Sequence, residues 1–363
     1  MRHHALVIVC LLVLVSAGAC ARPVRMTVVP QPLLDCRTPA SNAGEARLTW
    51  IRPESASERR ALDEKCAQVG PPLLVRGAPS SAATVTHVAL VTWNLHDGRG
   101  DVTALLRDLR AGSYGAPAPD AVVFLLQEYV RPTPGDGAPG GTTLPLPGWH
   151  LAYVPARPTT LRDGDATTKA DRGTAILSSL PLDELEAIEL PLERQRRVAL
   201  AATVRGVTTT GRRWRARVVS AHLENRPGAG RLWVRAGAAR TRQAEALLDA
   251  LDLEPGDDTP PRADALILGA DLNTWLGRHE RAWRLLRDAF PTWSHEDVRP
   301  TIGFRLRVDH LFARLPEGTR AIHRRVDARY GSDHHPVVAA IDFGANPHER
   351  AAPEGRPPIP MEP

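Results

Sequence analysis

Six short stretches carry side chains suited to metal and proton chemistry. They are Thr92-Trp93-Asn94, Gln127-Glu128, Ser220-Ala221-His222-Leu223, Gly269-Ala270-Asp271-Leu272-Asn273, Val308-Asp309-His310 and Ser332-Asp333-His334-His335-Pro336. Hard oxygen donors from Asp, Glu and Asn suit Mg²⁺, which takes few protein ligands and keeps water and phosphate oxygens. Two histidines, His222 and His334, with carboxylates nearby can manage proton transfers. That set fits phosphate ester hydrolysis, which needs charge neutralisation, a positioned water and help for the leaving group. Singly, each residue has a plainer reading. Asn94 can be a strand-end turn residue, Glu128 the first exposed residue past a strand, and His222 a core imidazole. Asp271 and Asn273 can form an Asx-turn, and Asp309-His310 a surface pair. The conjunction in this order is what those plainer readings leave unexplained.

Such residues converge only if the elements before them end on one rim. Val88 to Leu95 is a β-rich run, and Ala121 to Leu126 is continuously apolar, as in a strand buried on both faces. Gly173 to Ser178, Arg197 to Val204, Arg215 to Leu223, Ala265 to Leu268, Val308 to Phe312 and Val337 to Ile341 read as further strands. Asp101 caps a helix whose apolar face is Val102, Leu105, Leu106 and Leu109. Ala239 to Leu251 and the stretch around Ala282, Leu285, Leu286 and Ala289 read as two more. Most of the chemical residues stand at strand ends, where loops leave room for a ligand. The segments 131–148 and 157–171, rich in Pro, Gly, Asp and Thr, read as loops framing the site.

The six stretches together resemble the endonuclease/exonuclease/phosphatase superfamily, which includes deoxyribonucleases, apurinic endonucleases, bacterial sphingomyelinases and inositol polyphosphate phosphatases. The resemblance runs from about Thr84 to Phe343 and takes in Arg172-Gly173-Thr174-Ala175 and Arg242-Gln243-Ala244 as well. It implies an α+β fold, a four-layer αββα sandwich of two mixed sheets with helices outside. It also implies roles. Glu128 resembles the principal Mg²⁺ ligand, Asn94 a metal or phosphate contact, and Asp333 a second metal-side carboxylate, with Mn²⁺ or Ca²⁺ as alternatives to Mg²⁺. Asp271 and Asn273 resemble the pair that orients the attacking water and the phosphate. His334 resembles the catalytic imidazole, oriented by Asp309, and His222 the second phosphate-binding histidine. Which histidine is acid and which base stays open at this point. The usual Gly before the motif Asp is Ala270 here.

The ends of the chain read differently. Arg2, the eleven-residue apolar run Ala5 to Val15 and Ser16-Ala17-Gly18-Ala19-Cys20 form a signal peptide over residues 1–19. That run is too short for a transmembrane helix, which needs roughly 20 residues. Ala17 to Cys20 resembles a lipobox, which makes Cys20 a lipidation site and the product a bacterial cell-envelope lipoprotein; plain secretion is the alternative. Cys36 and Cys66 remain as one pair in an oxidising compartment and are expected to form a disulfide. Residues 20–84 read as an extension with a short helix around Ser57 to Gln68, residues 85–343 as the catalytic domain, and 344–363 as a disordered Pro-rich tail.

With 363 residues, 43% hydrophobic and 24% charged, the chain excludes collagen-like, wholly disordered and multi-spanning membrane readings. The net charge of +5 permits an anionic partner, but Lys65 and Lys169 are the only lysines, so the charge is an arginine matter. Arg194-Gln195-Arg196-Arg197 and Arg212-Arg213-Trp214-Arg215 can form patches for a phosphate backbone. The favoured expectation is therefore an exported phosphodiesterase acting on nucleic acid. A phospholipase C or sphingomyelinase type, with Trp233 as a candidate for bilayer insertion, is the alternative, and a non-catalytic binding module a further one. No protein partner is indicated.

Overall fold

The alternating signals form two packed sheets in a computed structural model. It describes residues 24–344 except 31–33, 42–46, 79–83, 115–116, 133–145, 164–165, 226–231, 254–262, 291–292, 294–295 and 318. The leader with Cys20, and the tail beyond Gly344, lie outside the described residues. The strands are β1 (Met26–Val29), β2 (Ala40–Ser41), β3 (Leu48–Pro53), β4 (Leu73–Val75), β5 (His87–Asn94), β6 (Ala121–Pro132), β7 (His150–Asp163), β8 (Ala166–Ser178), β9 (Asp183–Glu189), β10 (Val198–Val207), β11 (Arg213–His222), β12 (Ala265–Asp271), β13 (Asp309–Arg314), β14 (Arg320–Arg325) and β15 (Val337–Asp342). The helices are α1 (Ala56–Cys66), α2 (Val102–Arg110), α3 (Leu232–Ala250) and α4 (Arg281–Ala289). Among the described residues, one sheet has seven strands in the order β1-β3-β9-β10-β11-β12-β13. The other has eight, in the order β14-β15-β5-β6-β8-β7-β4-β2.

Three apolar layers define the architecture. Between the sheets, Leu90, Val123, Leu125 and Ile176 meet Leu200, Val218, Ile267 and Leu311. Outside the eight-stranded sheet, Val91, Phe124 and Leu126 take Leu105, Leu106 and Leu109 of α2. Outside the seven-stranded sheet, Val219, Leu268 and Phe312 take Leu247 and Leu248 of α3 and Leu286 of α4. This is the helix–sheet–sheet–helix sandwich. Strands covered on both faces need apolar side chains on both, hence the unbroken runs of β5, β6 and β12. Helix α2 begins where Asp101 accepts a bond from Ala104 N at 2.9 Å, a cap whose loss costs about 1 kcal/mol.

Two parallel pairs aim the site. β5 runs parallel to β6, bringing Asn94 level with Gln127, and β11 runs parallel to β12, bringing His222 level with Asp271. One pair lies in each sheet, and their carboxyl ends share a rim. The sheets approach closely beneath it: a Cβ on Gly269 would sit 2.7 Å from Thr92 Cβ and Leu125 Cδ1. Gln127 ties the sheets there, its Nε2 donating to Thr92 Oγ1 at 3.2 Å and Ser220 Oγ at 3.1 Å.

Several segments differ from their sequence reading. The stretch before Thr84 is not set apart, since β1 and β3 extend one sheet and β2 and β4 the other. Its strands are short and become visible only through their partners. Cys36 and Cys66 are bonded, with Cα atoms 5.7 Å apart, tying the 3-10 turn at Asp35–Arg37 to the end of α1. Residues 157–171, read as a loop, belong mostly to the long antiparallel pair β7–β8. Their Thr-rich composition is compatible with strand, but little apolar alternation marks it. Helix α3 starts at Leu232, because Gly237, which interrupts the pattern, costs only about 1 kcal/mol inside a helix.

Candidate active site

Asn94, His222, Asp271, Asn273, Asp309 and His334 form one connected group at the shared rim. Asn94 Nδ2, from the eight-stranded sheet, donates to Asp271 Oδ2 of the other sheet at 2.8 Å. Asp271 Oδ1 accepts from Asn273 N at 2.9 Å, so the Asx-turn and the site are the same structure. Asn273 itself is left-handed, at φ 51°, and its side chain donates to Leu223 O at 3.2 Å. His222 Nε2 lies 3.4 Å from Asp271 Oδ2. His334 Nδ1 donates to Asp309 Oδ2 at 2.7 Å. Ser332 Oγ accepts from His334 N at 3.0 Å and donates to Asn94 O at 2.7 Å, fixing the imidazole's loop to β5.

Glu128 reaches the rim through a fault in its strand. The β6–β8 register shifts between Leu126 and Tyr129, and Glu128 adopts φ 54°. One extra residue on β6 re-aims its side chain, the usual effect of a bulge. Glu128 is part-buried rather than exposed, and its Oε2 accepts from Arg172 Nη1 at 3.0 Å and Asp97 N at 3.2 Å. Arg172 also pairs with Asp97. A small pocket beside these groups is lined by Glu128, Arg157, Arg172, Arg197 and His222. Asp333, by contrast, is half-exposed. Its Oδ1 lies 2.9 Å from His96 Nδ1 and 3.7 Å from His334 Nε2.

The sequence itself matches the Endonuclease/Exonuclease/phosphatase family over residues 91–334, two thirds of the chain. The chain belongs to that family. No curated protein matches it. Among solved structures, a family protein from Leptotrichia buccalis is 14% identical, over 70% of this chain and 100% of its own, with a TM-score of 0.45. Humanized D. rerio TDP2 is 21% identical, over 70% and 99%, with a TM-score of 0.38. Sphingomyelinase C from Streptomyces griseocarneus is 16% identical, over 71% and 99%, with a TM-score of 0.36.

In this family member, burial and neighbouring charges set each titrating group differently. Burial opposes a charged His334, but the Asp309 carboxylate at its Nδ1, helped by Asp271 and Asp333, raises it to about 10. Asp271 is pushed up to about 7 by burial and by Asp309, against the pull of His334 and the bonds from Asn94 and Asn273. His222 is held well below its usual value by burial, then by Arg197, Arg157 and His334. At neutral pH His334 is thus an imidazolium and His222 a neutral ring. Asp271, Asp309 and His334 each offer a ligand atom within 4.8 Å of the others, close enough to enclose a cation. Glu128, Asn94 and Asp333 offer harder oxygen donors on the adjoining side.

Two arginines escaped the sequence reading. Arg172 was visible only as a motif residue, and the bond to Glu128 shows its use. Arg197 stood in a supposed surface patch. It is 4% exposed, its Nε and Nη2 are buried without partners, and it lines the pocket. Burial brings it down to about 10. Its neighbour Arg196 is buried too and bonds Glu189 at 2.6 Å. Trp214 stacks on Phe343, with ring centroids 4.2 Å apart, while Arg215 pairs with Glu184. These stretches therefore serve largely as structure.

Proposed function

We propose that the chain is a divalent-metal-dependent phosphodiesterase, exported by its leader and tethered through a lipidated Cys20. The observation that supports this most is geometric: Asn94, Asp271, Asn273, Asp309 and His334, drawn from both sheets, meet in one hydrogen-bonded group at the rim, where burial and neighbouring charge push His334 up and His222 down. Titrating groups pushed apart by their surroundings mark acid and base assignments.

The donors fit a divalent cation. Glu128, Asn94 and Asp333 supply hard oxygens, and Asp271 and Asp309 bring ligand atoms within 4.8 Å of one another to the same rim. Mg²⁺ is the first choice, with Mn²⁺ or Ca²⁺ as alternatives. When bound, such an ion supplies charge neutralisation at the phosphoryl oxygens.

The chain's own residues do the remaining work. Asp271, near neutrality and fixed by Asn94 and Asn273, takes a proton from the attacking water. Asn273 orients that water and a phosphate oxygen. The His334 imidazolium, its tautomer set by Asp309, delivers a proton to the departing oxygen or holds charge on the phosphoryl group. His222, neutral, contacts the phosphate. Arg197 offers the same anion two buried N–H groups that the folded chain leaves unpaired.

Hydrolysis of DNA, RNA and sphingomyelin measured in parallel, with and without EDTA, tests this reading. Metal-dependent release from at least one ester is expected. No hydrolysis of any ester would favour a non-catalytic binding module. Labelling with palmitate in cells, compared with Cys20→Ala, tests the tether.

A further inference from the structure

Two loops at the catalytic rim carry exposed apolar side chains. Trp275 and Leu276 follow Asn273 directly and are 40% and 60% exposed. The other loop, Thr301 to Leu306, closes on itself through Thr301 N to Leu306 O at 2.9 Å and a bridge between Ile302 and Leu306. Its tip is Gly303-Phe304-Arg305, turned by Gly303 at φ 56°. Phe304 is 97% exposed.

Both tips belong to the mouth of the site. Asp271 and Asp309 form the last register pair of β12 and β13, and Leu272 N donates to Val308 O at 2.8 Å. The two loops therefore leave the same end of that strand pair. Ile302 is bridged to His334 itself, and His335 N donates to Thr301 O at 2.8 Å. Each tip also carries an exposed arginine, Arg278 and Arg305. Isolated surface hydrophobes are ordinary. Two apolar tips leaving the same end of one strand pair beside the site, each with a cation, match the pattern of interfacial binding: apolar side chains enter the headgroup region while arginines meet anionic lipids. Aromatic rings alone would suit stacking on bases. Leu276 cannot stack, and Arg196 and Arg197 are withdrawn from the surface. Trp233, the residue the sequence offered for a bilayer, has its side chain outside the described set.

We propose that Trp275, Leu276 and Phe304 form a docking rim that seats the catalytic mouth on an anionic bilayer, so that the ester cleaved is one presented at a lipid surface. This rests on the phosphodiesterase reading for its substrate, but not for the docking itself.

The test uses the mature chain from Ala21, without the leader or Cys20, so that neither the apolar leader nor an acyl group contributes. Its flotation is measured with vesicles of phosphatidylcholine alone and mixed with phosphatidylserine, beside binding of single-stranded DNA. The expected result is binding to the mixed vesicles that weakens about tenfold or more in Leu276→Asp/Phe304→Asp. Hydrolysis of soluble bis(p-nitrophenyl) phosphate and the melting temperature should stay unchanged in that variant. Absence of vesicle binding, equal binding by the variant, or a loss confined to DNA would each overturn the proposal. Vesicle binding lost in the variant, from a chain that hydrolyses nothing, would uphold the rim and remove the phosphodiesterase reading instead.

Discussion

Asp309 Oδ2 lies 2.7 Å from His334 Nδ1, and the two residues come from different halves of the sandwich. Asp309 opens β13 of the seven-stranded sheet, while His334 precedes β15 of the eight-stranded one. The pair forms only once the sheets have packed, so it reports both the fold and the proton affinity of the site. Asp309→Asn keeps the shape but removes the charge that holds the imidazolium. Turnover on a soluble diester should fall about a hundredfold or more. The His334 titration, followed by NMR, should move down from about 10. An unchanged titration would detach Asp309 from that role.

Arg197 gives a test in which activity and stability separate. A buried guanidinium with unpaired N–H groups weakens the fold, whereas a bound phosphate would satisfy it. Arg197→Met should leave the melting temperature unchanged or raised and cut kcat/KM by about tenfold or more. A large fall in melting temperature with normal kinetics would make Arg197 a structural residue.

Glu189 should behave in the opposite way. It is fully buried, and Arg37 at 2.9 Å, Arg52 at 2.6 Å and Arg196 at 2.6 Å all bond its carboxylate. Burial raises its proton affinity, but the three arginines overcome that and hold it near 2. Glu189→Gln strands those buried cations, and urea unfolding should show a loss of about 3–5 kcal/mol. A loss below about 1 kcal/mol would show that the arginines find other partners.

Two buried histidines should cost the protein stability in mild acid, against the opposite contribution of the Asp271 carboxyl, which is pushed up to about 7. Burial and then Arg307 lower His323 to about 4, and the same two causes hold His310 well below its usual value. Unfolding releases both rings to the ordinary value near 6.5, so the unfolded chain binds more protons below that pH. The stability these two rings contribute is then full above about 6.5 and falls as the pH drops toward 4, by up to roughly 3 kcal/mol for His323 alone. Urea midpoints measured between these values in an Asp271→Asn background, which removes the opposing carboxyl, should decline, and His310→Phe should make the decline shallower. A flat profile would mean that the rings are hydrated in the folded state.

Much of the site was legible because its residues end strands whose apolar runs are long. The strands β5, β6 and β12 follow from such runs, and with them the strand ends that form the rim; their parallel pairing shows only in the fold. What escaped depends on partners distant in sequence. The bulge that re-aims Glu128 leaves no local mark in Leu126-Gln127-Glu128-Tyr129. Arg196 and Arg197 look like surface charge until Glu189 and the pocket are placed beside them. β1 and β3 are too short and mixed to stand out before β9 pairs with β3. Trp275, Leu276 and Phe304 look like core residues, and only the turn at Gly303 and the exit from β12 turn them outward.

The most direct test of the account is hydrolysis of bis(p-nitrophenyl) phosphate as a function of Mg²⁺, by the native chain and by Glu128→Ala. Saturable, EDTA-sensitive hydrolysis by the native chain is expected. In the variant, turnover should fall by orders of magnitude and the Mg²⁺ response weaken, with unchanged circular dichroism. Equal hydrolysis and equal Mg²⁺ dependence in the two proteins would contradict it.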